Sequence, residues 1–212
     1  RMPETRPEET SSSGPLISWS RYSPVLRSPS FLFNAALCML AMAVILAYVT
    51  AAPVQLMVKL GLDMNGFSYW FTANAALNIL ACFLAPRFIA RVGPRRTLRI
   101  GLLVLLLSAI LLTLTMHLAH PLAMMGPVFL SSIGFAMILG ASAGMALAPF
   151  GHCAGTAAAL LGLFQMSGSG ALVGITGWLM PDPLSQLALH MWLLLPPLLM
   201  LMTRQGRRLC LQ

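Results

Sequence analysis

Charge is what this sequence has least of. Of its 212 residues only 8% are charged, where a soluble domain carries about 25%. The acids are Glu4, Glu8, Glu9, Asp63 and Asp182, and the one lysine is Lys59. So little charge cannot cover a water-facing surface. With 58% hydrophobic residues, the chain falls in the membrane class. Cysteine is sparse as well. Cys38, Cys82, Cys153 and Cys210 form no C-x-x-C pair, which leaves no disulfide framework or zinc site to read. Two of them fall in apolar runs, where a free thiol behaves as a small hydrophobe. No nucleophile elbow, phosphate loop or paired-carboxylate pattern is present, so an enzyme reading has no chemistry to rest on. His117 and His120 lack a carboxylate or cysteine partner nearby, so neither a metal nor any other cofactor is expected.

What the chain does have is apolar length. Six stretches can each cross a hydrocarbon core of about 30 Å, which takes about 20 helical residues. They run from about Phe31 to Thr50, Phe67 to Ala85, Ile100 to His117, Ala123 to Ala148, Ala154 to Met180 and Leu184 to Met202. Pro149 to Cys153 leaves room only for a tight turn between the fourth and fifth, hence an antiparallel hairpin. The fold class expected is all-α integral membrane with six transmembrane helices. Residues 1–30 are expected as a polar linker, 31–203 as the bundle and 204–212 as a basic tail. The opening at Arg1 reads as the cut edge of something longer or as an artefact of gene truncation.

The remaining charge is sorted by side. The segment Pro86 to Arg99, PRFIARVGPRRTLR, holds Arg87, Arg91, Arg95, Arg96 and Arg99 and no acid. Arg1, Arg6, Arg21 and Arg27 precede the first run, and Arg204, Arg207 and Arg208 follow the last. If six helices alternate, all of these lie on one side, opposite Lys59, Asp63 and Asp182. Basic loops face the cytoplasm, so both termini are expected there, with the chain in the inner (plasma) membrane. A nucleic-acid patch is the other use of such a cluster. It is set aside, because the flanks offer no soluble core for the patch to join.

No Asp, Glu, Lys or Arg lies within the six stretches, whereas proton and ion pathways carry buried ionisable groups. His190 is the exception, read as a neutral, hydrogen-bonded ring near the outer interface. Small residues mark two helices. Gly140 and Gly144, and Gly170 and Gly174, are G-x-x-x-G pairs, and Gly155 and Gly162 add to the fifth helix. Such residues let helices approach closely, with sliding contacts during transport as the functional alternative. Pro53 is expected to close the first helix, and Pro196 and Pro197 to interrupt the sixth. Tyr48, Gln55, Tyr69, Phe71, Asn74, Asn78 and Gln165, with Phe164, could line a cavity for bulky lipophilic solutes. Hydrogen bonding between helices is the alternative for the two asparagines.

Several segments carry a resemblance. They are MPETRP at Met2 to Pro7, LAYVTAAPVQLM with Tyr48 and Pro53, and FSYWFTANAALN with Asn74. RVGPRR at Arg91 to Arg96 and the hairpin MALAPFGHCAGTAAALLGLFQMSGSGALVG complete the set. Together they resemble the C-terminal six-helix half of a major facilitator superfamily transporter. The likeness is greatest to the Bcr/CflA-type drug:proton antiporters, which include chloramphenicol and multidrug exporters. In the hairpin, Pro149, Ala154, Gly155, Gly162 and Gln165 match best. In the loop, Arg91, Gly93, Arg95 and Arg96 match, while Ala90 stands where the superfamily has an acid and Pro94 where a basic residue is usual. The loop thus keeps a basic, turn-forming role rather than a charge relay. The resemblance implies one half of a twelve-helix fold built from inverted repeats, with a small lipophilic drug bound between the halves. It also implies that the proton-coupling acid lies in the missing N-terminal half. The chain is then a truncated or partial efflux transporter. The alternative is a non-transporting six-helix subunit packed against a partner transporter.

Overall fold

The computed structural model describes residues 19–202. These residues contain helices and turns and no strand. The short helix α1, Trp19–Leu26, leads into α2, Pro29–Pro53. The Ser28 side chain caps α2 by accepting from the Phe31 N–H at 3.3 Å, and Pro29 suits the first turn, where no N–H is needed. A π-helical stretch, Val54–Lys59, extends α2 without a break. Then come α3, Met64–Val92, and α4, Pro94–Thr115. Helix α5, Pro121–Leu147, is followed by a 3₁₀ turn, Ala148–Cys153. The next crossing consists of α6, Ala154–Leu163, a π-helical stretch, Phe164–Gly168, and α7, Ser169–Leu179. Helices α8, Pro183–Trp192, and α9, Leu195–Met202, close the described chain.

Five helical stretches are long and apolar enough to cross a membrane, and one of them, Pro121–Leu179, runs for 59 residues. A straight helix of that length would measure roughly 88 Å, close to three hydrocarbon thicknesses. It is instead folded in two at the 3₁₀ turn, where Phe150 has the non-helical angles φ −109°, ψ 32°. Leu139, Ala143 and Ala146 before the turn share a cluster with Ala157, Leu160, Leu161 and Phe164 after it. The described residues therefore make six crossings, as the arginine distribution implied.

Helix α2 is the hub. It packs against α5, α7 and α8, and Ala35, Ala41, Ala43, Ala47, Ala51 and Ala52 are buried along it. Short side chains on every face let three neighbours come close at once. The tightest crossing joins α4 and α5. A Cβ on Gly101 would lie 3.1 Å from the Gly134 carbonyl oxygen, and one on Gly134 would lie 2.8 Å from that of Gly101. Pro127 within α5 has no N–H for the Ala123 carbonyl. The Thr115 hydroxyl reaches that carbonyl instead, at 2.6 Å.

Several expectations need correction. The expected linker contains α1, whose Val25 is fully buried against the cluster of Phe31 and Phe150. The segment expected as a loop, Pro86 to Arg99, is helical except at Gly93, whose φ of 90° and ψ of 150° turn the chain in one residue. That region of backbone space is nearly exclusive to glycine, and Pro94 can start a helix immediately. Pro53 does not close its helix. The backbone continues with wider-spaced bonds, such as Leu60 N–H to the Gln55 carbonyl at 3.1 Å, five residues back instead of four. Gly144, Gly155, Gly162, Gly170 and Gly174 are not close-packing points of this bundle, because a Cβ on any of them would meet nothing within 4 Å. Gly140 does face a neighbour, with Ile89 at 3.1 Å from such a Cβ. The break expected at Pro196 and Pro197 falls between α8 and α9. The basic tail and the segment Met2 to Pro7 lie outside the described residues.

A membrane cavity as the candidate functional site

An open cavity of about 300 Å³ lies among α2, α3 and α5. Helix α2 supplies Met42, Ile45, Tyr48 and Val49, α3 supplies Phe71, Asn74, Ala75, Asn78 and Ile79, and α5 supplies Phe135. Helical spacing explains the set: 42, 45 and 49, and 71, 74, 75 and 78, each mark one face. The Tyr48 and Phe71 rings stack with centroids 5.7 Å apart and planes 15° from parallel. Phe67 extends the aromatic surface, 5.5 Å from Phe71.

The polar groups are few. Asn74 is buried, and its Oδ1 accepts from the Ser132 hydroxyl at 2.9 Å, tying α3 to α5. Asn78 Oδ1 accepts weakly from the Cys82 thiol at 3.5 Å. The Tyr48 hydroxyl is buried beside Asn74 without closing a hydrogen bond. An unpartnered hydroxyl in an apolar wall is costly unless a solute or water meets it. The site therefore offers stacked aromatic faces, aliphatic walls, two amides and one unused hydroxyl, with no charged side chain in its lining.

Four of the seven candidates thus converge: Tyr48, Phe71, Asn74 and Asn78. The other three lie elsewhere. Gln55 is buried in the π-helical stretch beyond Tyr48, its Oε1 without a partner. Tyr69 is 79% exposed on another face of α3. Gln165 sits in the second π-helical stretch, which packs on α2, and its carbonyl accepts from the Ser169 hydroxyl. Met42, Ile45, Val49, Phe135 and Ser132 were not anticipated. The first three share the Tyr48 face by spacing alone, a signal the sequence did contain. Phe135 and Ser132 depend on how α5 is rotated.

Outside the cavity, on α8, His190 is buried and fully engaged. Its Nδ1 lies 2.7 Å from the Gln186 carbonyl and its Nε2 3.3 Å from the Thr176 hydroxyl. Gln186 in turn donates to the Val173 carbonyl at 2.7 Å and to Thr176 at 3.0 Å. This network clamps α8 onto α7. Gly93 and Arg91, Arg95 and Arg96 surround the α3–α4 turn, at the end of the bundle away from Lys59 and Asp182.

Six apolar crossings among the described residues, three of them around a mostly apolar, aromatic-walled cavity, define a multi-pass membrane protein. The comparisons agree with this. The Major Facilitator Superfamily matches residues 1–174, and the chain belongs to that superfamily. It is 31% identical over 183 residues to the multidrug resistance protein MdtL of Escherichia coli O157:H7, covering 84% of this chain and 45% of that protein. MdtL of Shigella dysenteriae serotype 1 (strain Sd197) matches with the same identity and coverage. The chain spans about half the length of the curated relatives it matches. No solved structure matches.

Proposed function

We propose that this chain is the C-terminal half of a proton-coupled drug efflux transporter of the Bcr/CflA type, with Tyr48, Phe71, Asn74 and Asn78 forming one wall of its drug cavity. The observation that carries the reading is the convergence of these four side chains on one open cavity in a half-length superfamily chain. An aromatic stack with two amides suits a bulky, lipophilic, weakly polar solute. Gln55 borders the same face toward the Lys59 end, and Tyr69 on α3 and Gln165 on the α6–α7 crossing mark the two faces a second half could meet. The lining carries no acid, so the coupling proton belongs to the absent N-terminal half. Both termini face the cytoplasm, because the described arginines gather at one end of the bundle. Arg91, Gly93, Arg95 and Arg96 act there as a turn and an orientation signal.

The test is a drug-resistance assay in a pump-deficient bacterial strain. The isolated chain is expected to give no resistance. The chain joined to the six-helix N-terminal half of a related exporter is expected to give resistance that Phe71→Ala and Asn74→Ala reduce at unchanged membrane levels. Resistance from the isolated monomer sinks the half-transporter reading. Joined transporters indifferent to both substitutions sink the cavity assignment. Copurification with an unrelated complex, with no resistance in either form, favours the subunit alternative.

A further inference from the structure

A second groove, about 250 Å³ in volume, lies between the start of α4 and the end of α9, lined by Arg99, Leu103, Leu198, Leu201 and Met202. We propose that it is a binding site for an anionic phospholipid, with the phosphate on Arg99 and the upper part of one acyl chain along the four apolar side chains. The inference rests on the membrane reading of the chain and not on drug transport.

The groove is amphipathic along its length. Arg99 is exposed, and Leu103 follows it one turn deeper on the same face of α4. Leu198 and Leu201 are buried and form the floor, while Leu103 and Met202 stand exposed at the rim. A guanidinium above an apolar trough reproduces the order of a phospholipid, headgroup first and hydrocarbon below. Arginine is suited to the phosphate because its planar fork donates two parallel hydrogen bonds.

Charge selects the kind of lipid. Arg27, Arg87, Arg91, Arg95, Arg96 and Arg99 all lie at this end, whereas the two described acids, Asp63 and Asp182, lie at the other. No described acid lies at the Arg99 end, and an anionic headgroup brings to Arg99 the net negative charge that a zwitterionic one lacks. A third groove, of about 270 Å³ between α3 and α5, lined by Leu77, Leu80, Leu84, Phe88, Ile133 and Met137 among others, has no charge in its lining. It can accept a chain of any lipid and so does not discriminate.

The test titrates the full 212-residue chain, purified in detergent, with phosphatidylglycerol and with phosphatidylcholine of the same acyl chains. Native mass spectrometry reads the lipid-bound fraction. Phosphatidylglycerol is expected to bind about fivefold more tightly, the effect of about one basic side chain at a membrane surface. Arg99→Gln is expected to remove that preference and Arg99→Lys to keep most of it. Leu103→Trp, which fills the trough, is expected to lose the bound lipid even with the arginine intact. Arg87→Gln is expected to change nothing, because that guanidinium lies over the Phe83 ring, 4.6 Å from its centroid. Equal binding of the two lipids overturns the proposal. So does an equal loss in Arg87→Gln and Arg99→Gln, which would mean a diffuse basic surface. Binding that appears only after residues 1–18 are deleted also overturns it, since Glu4, Glu8 and Glu9 would then be the occupants.

Discussion

Asp182 has two roles at the start of α8. It accepts hydrogen bonds from the Ser185 N–H at 2.9 Å and the Ser185 hydroxyl at 2.6 Å, and it pairs with Lys59 at 2.6 Å. The Lys59 ammonium and then the Ser185 hydroxyl hold its carboxyl well below the ordinary carboxylate value, at about 2. The ion pair is the smaller contribution to stability. Its partners are 46% and 42% exposed, and such pairs are worth about 0–1 kcal/mol. The helix cap is worth about 1 kcal/mol. Asp182→Asn keeps a capping oxygen and is expected to cost less than about 1 kcal/mol, while Asp182→Ala is expected to cost about 1–2 kcal/mol. A carboxyl depressed on folding stabilises above its unfolded value and loses that effect as pH falls through the folded value. Thermal unfolding in detergent should therefore separate wild type from Asp182→Ala at neutral pH. The gap should narrow as pH falls from about 4 to about 2, leaving the share that a neutral capping oxygen keeps. A gap that does not narrow over that range contradicts the assignment.

Among the elements, the α4–α5 crossing is the least tolerant. Gly134→Ala puts a methyl group 2.8 Å from the Gly101 carbonyl oxygen and 3.1 Å from Leu105 Cβ. Backbone cannot yield as a flexible side chain can, so a loss of about 1–3 kcal/mol is expected from overpacking. Gly144→Ala meets nothing within 4 Å and should be neutral, or stabilising by up to about 1 kcal/mol through helix propensity. Equal unfolding temperatures for the two variants would contradict the packing described. The G-x-x-x-G spacing drew attention to Gly140, Gly144, Gly170 and Gly174, because spacing reports a shared face without saying what covers it. The closest approach to another backbone belongs instead to Gly101, a solitary glycine in α4, and a partner 33 positions along the chain, which no local pattern reveals. The crossings themselves were legible, since apolar length and arginine placement follow from the bilayer. Their ends were not. Helix α3 continues through Arg87 and Arg91, because long basic side chains reach water from positions still within a helix.

At the scale of the whole molecule, the exposed surfaces are uneven. Helices α3 and α6–α7 carry broad exposed faces, including Tyr69, Ile79, Phe83, Leu163, Met166, Ile175 and Trp178, while α2 between them is largely buried. The candidate site was legible only in pieces. Tyr48 and Asn74 stood out as polar or aromatic in apolar runs, but their meeting depends on the rotation of α2 against α3. Gln165 looked equivalent in sequence and lies on a different helix face. Lipid can cover every exposed face, and a second six-helix half would cover only some. Gly170 decides between these. It is exposed, and a Cβ there meets nothing within 4 Å. In the isolated chain Gly170→Trp should leave the unfolding temperature within the error of the measurement, because the new ring enters open space. In the chain joined to an N-terminal half, the same ring would wedge the halves apart. Resistance should then fall at least about tenfold, corresponding to about 1.4 kcal/mol lost at the interface. A joined transporter that tolerates Gly170→Trp would place this face against lipid and move the second half to the exposed face of α3.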